Sequence, residues 1–381
     1  MHKWVIAASL AFLSASQAGA LSQDVYVWQR VWTPALKAAL SNSLELFGER
    51  RVLAAETTLD GHLRPFAIEW AALATKPVTG VVRIDGTLAR FDRKRLIADI
   101  RRLTAAWPKQ AGLEIDFDCG SARLADYTRF LTELHAAIPR RISITVLPAW
   151  LDAPNLPAVL AASDETVLQV HAVRSPAQGL FDPKLARRWI DRFDRITNKP
   201  FRVALPDYGT RIIRGAGGAV VAMESESPKL VSGASAEELL AEPQNVAPLV
   251  GDLMRNPPKH FAGLVWFRLP VAGDKRIWSL ETLKLVMRGE APKHNLTLEA
   301  QPGSVPGAVD IMLINRGATD LTLPAEISLP RACHVADGIG AYRYEAQKNQ
   351  LLRLQNAFIP GHHGLVIGWA RCAPGDFHAE P

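Results

Sequence analysis

The chain predicts an α/β fold, a (β/α)8 TIM barrel followed by a small C-terminal β-sandwich domain, on three observations. Eight short β-rich runs alternate with helical stretches from Asp24 to about Gly289, the pattern of a parallel sheet with helical crossovers. Eight strands with their helices in about 265 residues is the size and count of a closed barrel. After Pro292 the texture changes to short alternating runs separated by turn residues. An open doubly wound sheet is the competing reading, but no Gly-rich phosphate turn follows the first run.

In order, the eight runs are residues 25–30, 51–58, 79–85, 113–118, 142–148, 166–173, 201–206 and 263–269. Helical spacing marks 92–107, 124–138, 183–196 and 279–288 between them. The stretch 210–258 exceeds one simple crossover, and its 215–218 and 225–235 parts read as loop. Such an insertion lies over the active-site end of a barrel, as a lid, as one wall of a groove, or as an irregular surface loop. The barrel domain is therefore expected over residues 21–291. The sandwich domain is expected over 292–381, with runs at 296–300, 309–315, 321–323 and 364–370.

Residues 1–20 carry His2 and Lys3, an apolar stretch at 5–13, and the small-residue site Ala18-Gly19-Ala20. That is the pattern of a cleaved secretory signal peptide. Its apolar part is too short to cross a bilayer core of about 30 Å, and no later segment approaches the roughly 20 apolar residues needed. The expectation is a protein without a membrane span, free in the periplasm or secreted.

The 44 Lys and Arg residues exceed the 38 Asp and Glu residues by only +6. Basic pairs such as Arg101-Arg102 and Arg187-Arg188 fall on or beside helices, as solvated outer faces do. Nucleic acid is therefore not an expected partner. Of three cysteines, Cys333 and Cys372 both lie in the C-terminal segment, and an oxidising compartment would allow them to pair. Cys119 reads as a buried small apolar residue. No metal site is visible, and no cofactor is expected.

The sharpest local feature is Gly112-Leu113-Glu114-Ile115-Asp116-Phe117-Asp118. Alternate residues of a strand share a face, so the three carboxylates point one way and Leu113, Ile115 and Phe117 the other. The apolar set suits the layer between strands and helices, which puts Glu114, Asp116 and Asp118 inside the barrel. Asp118 then lies nearest the C-terminal rim, where barrel active sites form. Stacked carboxylates in a confined interior raise one another's pKa, as does desolvation. A protonated rim acid is what general-acid cleavage of a glycosidic bond needs. The same acids could instead be neutralised by Arg83 or Arg268, with no chemistry.

Extending the alternation to the other strands gives an inward set: Trp28 and Arg30, Glu56, Arg83 and Asp85, Gln169 and His171, Asp207 or Tyr208, then Trp266 and Arg268. Aromatic faces beside charged and amide groups are what a sugar site uses, stacking on ring C–H faces and bonding to hydroxyls.

These residues resemble the family 18 glycoside hydrolases, the chitinase-like barrels, whose fourth strand reads D-G-x-D-x-D-x-E. Gly112, Glu114, Asp116 and Asp118 occupy the corresponding places. The run 203–209, Val-Ala-Leu-Pro-Asp-Tyr-Gly, is similar to that family's seventh strand, and Gly263-Leu264-Val265-Trp266 to its eighth, where a Trp floors the sugar site. Residues 26–30, 114–118, 145–151 and 201–209 also resemble an uncharacterised bacterial family of unknown function, DUF3142-like, that is a distant relative of those hydrolases. The pattern departs from the hydrolases at Ala111, which replaces the motif's first Asp, and at Gln169, His171 and Ala172, near the places of a substrate-holding Tyr and Asp. Asp118 replaces the catalytic Glu, one methylene shorter.

The leading expectation is a secreted or periplasmic glycoside-hydrolase-like enzyme acting on a glycan or polysaccharide, with Asp118 as general acid and Asp116 tuning it. Glu114 sits deeper as support. Trp28 and Trp266 stack on sugar rings, and Arg30, Arg83, Gln169, His171, Tyr208 and Arg268 bind hydroxyl or acetamido groups. Two rivals remain: a catalytically inactive polysaccharide-binding barrel of the cell envelope, and a structural barrel with paired carboxylates.

Overall fold

A computed structural model of the protein describes residues 21–73, 75–86, 92–171, 179–215, 220–224, 235–305, 307–330 and 333–372. The segment read as a signal peptide, Ala172, and the stretches 216–219 and 225–234 lie outside the described residues. Eight parallel strands form the barrel: β1 (Gln23–Val27), β2 (Arg50–Thr57), β3 (Val78–Ile84), β4 (Gly112–Phe117), β5 (Ile142–Val146), β6 (Glu165–Gln169), β7 (Phe201–Pro206) and β8 (Phe261–Phe267). Strand β1 pairs with both β8 and β2, which closes the ring. Each strand falls within two residues of a predicted run at its start, because β-rich composition between turn residues is a strong local signal.

The helices are α1 (Pro34–Asn42), α2 (Arg93–Ala105), α3 (Leu124–Ala137), α4 (Leu156–Ala161), α5 (Pro183–Ile196), α6 (Pro243–Arg255) and α7 (Leu280–Met287). Between β2 and β3 the described residues hold a short antiparallel strand, Leu63–Pro65, and a 3-10 turn, Trp70–Leu73, where a regular barrel would carry a helix. Helix starts are written locally. Thr33, Asp92, Asp182 and Ser279 accept backbone N–H groups of the first turn. Pro34, Pro183 and Pro243 stand where no intrahelical N–H is needed.

Two apolar layers result. Outward-facing strand residues such as Val52, Ile115, Ile144, Leu205 and Leu264 pack with the helices. A smaller cluster of Tyr26, Trp28, Leu53, Val81, Val167, Ala204 and Val265, with Phe66 and Phe267 against it, fills the barrel's inside.

The insertion after β7 is more ordered than its sequence implied. Gly209–Arg214 is the central strand of an antiparallel sheet with Val220–Glu224 and Ser235–Leu240. The mixture of charged and apolar residues hid it, because Arg211 and Glu238 face each other across the register and hold the strands by an ion pair.

The C-terminal residues form antiparallel sheets around a core of their own, including Ile311, Leu313, Leu351 and Ile359. Leu296–Pro302, Val309–Asn315, Gly364–Cys372 and Cys333–Gly338 make the largest sheet, in that order. Cys333 and Cys372 oppose each other in register and are disulfide-bonded. This unit packs on the barrel: the Asn356 amide donates to the Glu238 carbonyl at 2.8 Å, and Asp320 accepts the Ser279 N–H ahead of α7. Among the described residues no helix is long and apolar enough to cross a membrane.

Candidate functional site

Strand β4 sets the site. Leu113, Ile115 and Phe117 are buried in the outer layer, so Glu114 and Asp116 point inward and Asp118 follows at the C-terminal rim. Asp116 is buried and accepts a hydrogen bond from the Thr145 hydroxyl of β5 at 2.8 Å. Arg83, from β3, stands over both acids with Nε 4.0 Å from Asp116 and Nη2 3.9 Å from Asp118. Both separations are too long for direct hydrogen bonds. The guanidinium therefore compensates charge without locking either carboxylate into a bidentate pair. The Asp118 side chain is 36% exposed, and its Oδ1 is buried with no hydrogen-bond partner among the described residues.

A cavity of about 410 Å³ opens above the pair. Trp28, Tyr208 and Phe267 supply its aromatic walls, and Arg83, Gln169 and His171 its polar edge. His171 is packed against Phe267 and Tyr208, with ring centroids 5.5 and 5.7 Å away. Burial lowers its pKa to about 3, so the ring is neutral, and neither nitrogen has a partner among the described residues. Such a ring offers one donor and one acceptor to whatever enters.

Burial, and then the neighbouring Asp118, push the Asp116 carboxyl up to about 7, against the pull of Arg83 and Thr145. Burial and Asp85 also raise Asp118, while Arg83 draws it down. The pair thus holds a proton to near neutrality. Because the native pKa of Asp116 is raised from 3.8, the folded state binds more protons between about pH 4 and about pH 7. The stability this group contributes is fully present below pH 4 and lost as pH rises through 7. Urea midpoints of the wild type and Asp116→Asn across that range should therefore diverge, the wild type losing ground as pH rises. A pH-independent difference would refute the raised pKa.

Other predicted site residues go elsewhere. Glu114 lies below the cavity, buried, where Arg51, Tyr26 and Ser143 bind it. Trp266 is not a floor: it is buried in the outer layer, its indole N–H donates to Gln23 at 2.7 Å, and its ring packs by Trp278. The position facing the cavity is the next one, Phe267, whose peptide bond to Arg268 is cis. Strand β8 is apolar on both faces, so its pattern could not say which residue points inward. Trp266→Phe should accordingly cost about 1–3 kcal/mol in urea unfolding by orphaning the Gln23 amide oxygen, with glycan affinity unmoved. A loss of affinity without a loss of stability would return Trp266 to the site.

Arg30 and Arg268 are also absent from the carboxylate cavity. Arg30 pairs with Glu56 at 2.9 Å and Arg268 with Asp274, both beside a second cavity. Of Asp207 and Tyr208, Tyr208 lines the carboxylate cavity, while Asp207 is buried outside its lining. Thr145 and Phe267 were missed. The signal for Thr145 was present, since Ser143 and Thr145 alternate with Ile142, Ile144 and Val146 in β5.

A closed ring of eight parallel strands with helices between them and a cavity at the strand ends defines a (β/α)8 TIM-barrel fold. Solved structures agree on that fold. A chitinase from Bacteroides thetaiotaomicron superposes with a TM-score of 0.52 at 13% identity, covering 72% of this chain and 98% of that one. The spore cortex-lytic enzyme SleL of Bacillus megaterium gives 0.51 at 12%, covering 71% and 74%. A chitinase from Chromobacterium violaceum gives 0.50 at 13%, covering 72% and 100%. At such identities the likeness is one of fold. The chain belongs to the family described as Domain of unknown function (DUF3142), whose model matches residues 74–272. A second family model, Domain of unknown function (DUF8456), matches residues 298–373. No curated protein matches the chain.

Proposed function

We propose that the protein is a secreted or periplasmic glycoside hydrolase whose general acid is Asp118. One observation carries this: a proton-retaining carboxylate pair, open at Asp118 and not locked to Arg83, lies under an aromatic-walled cavity of about 410 Å³. That volume is in the range of small-ligand sites. In the proposed step the pair's proton passes from Asp118 to the glycosidic oxygen as the bond to the anomeric carbon breaks. The leaving sugar departs as an alcohol, the pair, now anionic, stabilises the positive charge at the sugar through Asp116, and the water that adds to the anomeric carbon returns its proton to Asp118. Trp28, Tyr208 and Phe267 hold ring faces, and Arg83, Gln169 and His171 bind hydroxyl or acetamido groups.

The fold neighbours that are named chitinases and a spore cortex-lytic enzyme support a glycan as the substrate class. A disulfide between Cys333 and Cys372 suits an oxidising compartment, in keeping with a cleaved signal at residues 1–20. The short Asp118 side chain favours a second reading, a barrel that binds glycan without turnover. Reducing-end release by the mature protein on bacterial and chitin-type glycans, beside Asp118→Asn, separates the two. Release that vanishes in the variant supports the hydrolase. Saturable binding with no release supports the binding barrel.

A further inference from the structure

The largest sheet of the C-terminal unit carries a row of side chains well away from the barrel's carboxylates in the chain. Gln301 opposes Asp310, Asp310 opposes Trp369, and Trp369 opposes Asp337, one residue from each strand in turn. Directly opposed residues of antiparallel strands share a face. That face is the outer one, because the flanking residues Val309, Ile311, Ala336 and Ala370 pack into the unit's core and Trp369 does not. Gly368, just before the Trp, faces inward, where an added Cβ would meet Leu351. The indole and Asp310 are partly exposed, and Gln301 and Asp337 are exposed. A carboxylate therefore stands on each side of the ring, the two strands that carry them about 10 Å apart. Along the strands an apolar stripe continues from the ring. Met312 opposes Val366, which is 40% exposed, and Ile314 opposes Gly364, which puts no side chain in the way.

We propose that this row is a polysaccharide-binding platform, separate from the barrel cavity, whose ligand is a neutral, extended chain of the β-1,4 type. The chemistry of the row selects that ligand. An indole offers a flat apolar face to the C–H side of a pyranose ring. Carboxylate oxygens beside it accept from hydroxyls at the ring's edge, and the Gln301 amide both donates and accepts. Val366 and Met312 give the next sugar an apolar floor, and a straight stripe on a sheet suits an extended chain. The same two carboxylates repel a uronate chain, a sulfated chain or an anionic lipid surface, so they exclude charged ligands while binding neutral ones. A protein partner fits less well. Protein interfaces take about 800 Å² a side and have a centre depleted of charge, whereas here charge flanks the aromatic group directly. The platform does not depend on hydrolysis in the barrel.

Calorimetric titration of the full mature protein with hydroxyethyl cellulose, glycol chitin and carboxymethyl cellulose tests this, at about 150 mM NaCl to screen unspecific charge effects. The first two polymers are neutral, and the third is anionic on the backbone of the first. The wild type should bind at least one neutral polymer and prefer hydroxyethyl to carboxymethyl cellulose. Trp369→Ala should weaken neutral-polymer binding about tenfold, and Trp369→Tyr should restore most of it. Asp310→Asn with Asp337→Asn keeps the side-chain shapes and should cut the neutral-to-anionic affinity ratio about tenfold. If Trp369→Ala lowers the melting temperature, the exposed Asp337→Asn position decides alone, through the same ratio. No binding of either neutral polymer overturns the platform. So does binding that survives Trp369→Ala and is lost in Trp28→Ala, which leaves the barrel as the glycan site. Tighter binding of carboxymethyl cellulose overturns the neutral-chain assignment. Polymer binding unmoved by Trp369→Ala, with a dimer that the variant turns to monomer in sedimentation, gives the face to a second copy of the chain and overturns the platform. Binding carried by Trp369, with no reducing-end release from any glycan by the wild type, overturns the hydrolase reading and leaves the platform standing.

Discussion

Arg51→Met should destabilise the protein by about 3–5 kcal/mol, the cost of leaving buried charges without their counter-ion. Arg51 is fully buried at the base of the barrel, and one guanidinium there serves four carboxylates. Nη1 binds Glu114, with the Ser143 hydroxyl at 3.2 Å, and Nη2 binds Glu165, with Glu49 at 3.3 Å and Asp24 at 3.6 Å. Arg141 and Arg202 reach Glu49, Glu165 and Asp24 from the outside, but among the described residues Glu114 has Arg51 as its one ion-pair partner, helped by hydroxyls of Tyr26 at 2.7 Å and Ser143 at 2.8 Å. Burial already pushes the Glu114 carboxyl up against the pull of Arg51. Without the arginine it must protonate or remain an uncompensated charge. Urea unfolding followed by tryptophan fluorescence measures the loss, and Glu114→Gln in the same background should recover part of it. A loss below about 1 kcal/mol would show that water or relaxation replaces the ion network.

Asp118→Asn should lower reducing-end release by about 10²–10⁴-fold, the range for removal of a positioned general acid. Asparagine keeps the shape of the side chain, so glycan affinity and unfolding midpoint should stay close to wild type. The wild-type rate should fall as pH rises through about 7, where Asp116 loses the proton it holds beside Asp118. Rates measured from pH 4 to pH 9 check this. A rate that climbs with pH, or an Asp118→Asn enzyme of undiminished rate, removes Asp118 as the acid and leaves the carboxylate pair as a binding feature.

Much of the barrel was legible because its determinants are local. Each strand is a short β-rich run between turn residues, and Thr33, Asp92, Asp182 and Ser279 announce helix starts within four residues of what they cap. Strand β4 was readable in full detail because it alternates acidic with apolar residues, and a period of two fixes which set faces inward once the apolar set is assigned to the helices. The same reasoning placed Trp28, Arg83, Gln169, His171 and Tyr208 around one cavity.

Where alternation was missing, the reading failed for a physical reason. In β8 both faces are buried, so hydrophobicity carries no direction. The pairing of Trp266 with Val25 on one side and Leu205 on the other decided that it faces the helices and Phe267 the cavity. In β2 a bulge between Leu53 and Ala55 shifts the register before Glu56, which ends at the rim between Arg30 and Arg64.

By itself, then, the sequence determined the strand count, the barrel, the inward carboxylates and a separate C-terminal β unit, all properties of short segments and their periodicity. Tertiary structure alone decided the partners. Arg51 meets Glu114 across 63 positions of chain, Arg83 stands 3.9 Å from Asp118 instead of gripping it, and Arg30 and Arg268 leave the acids for a cavity completed by residues 355–357. Those outcomes depend on closure of the ring and on docking of distant segments. Electrostatic compensation acts through space over a few ångströms, whatever the separation along the chain.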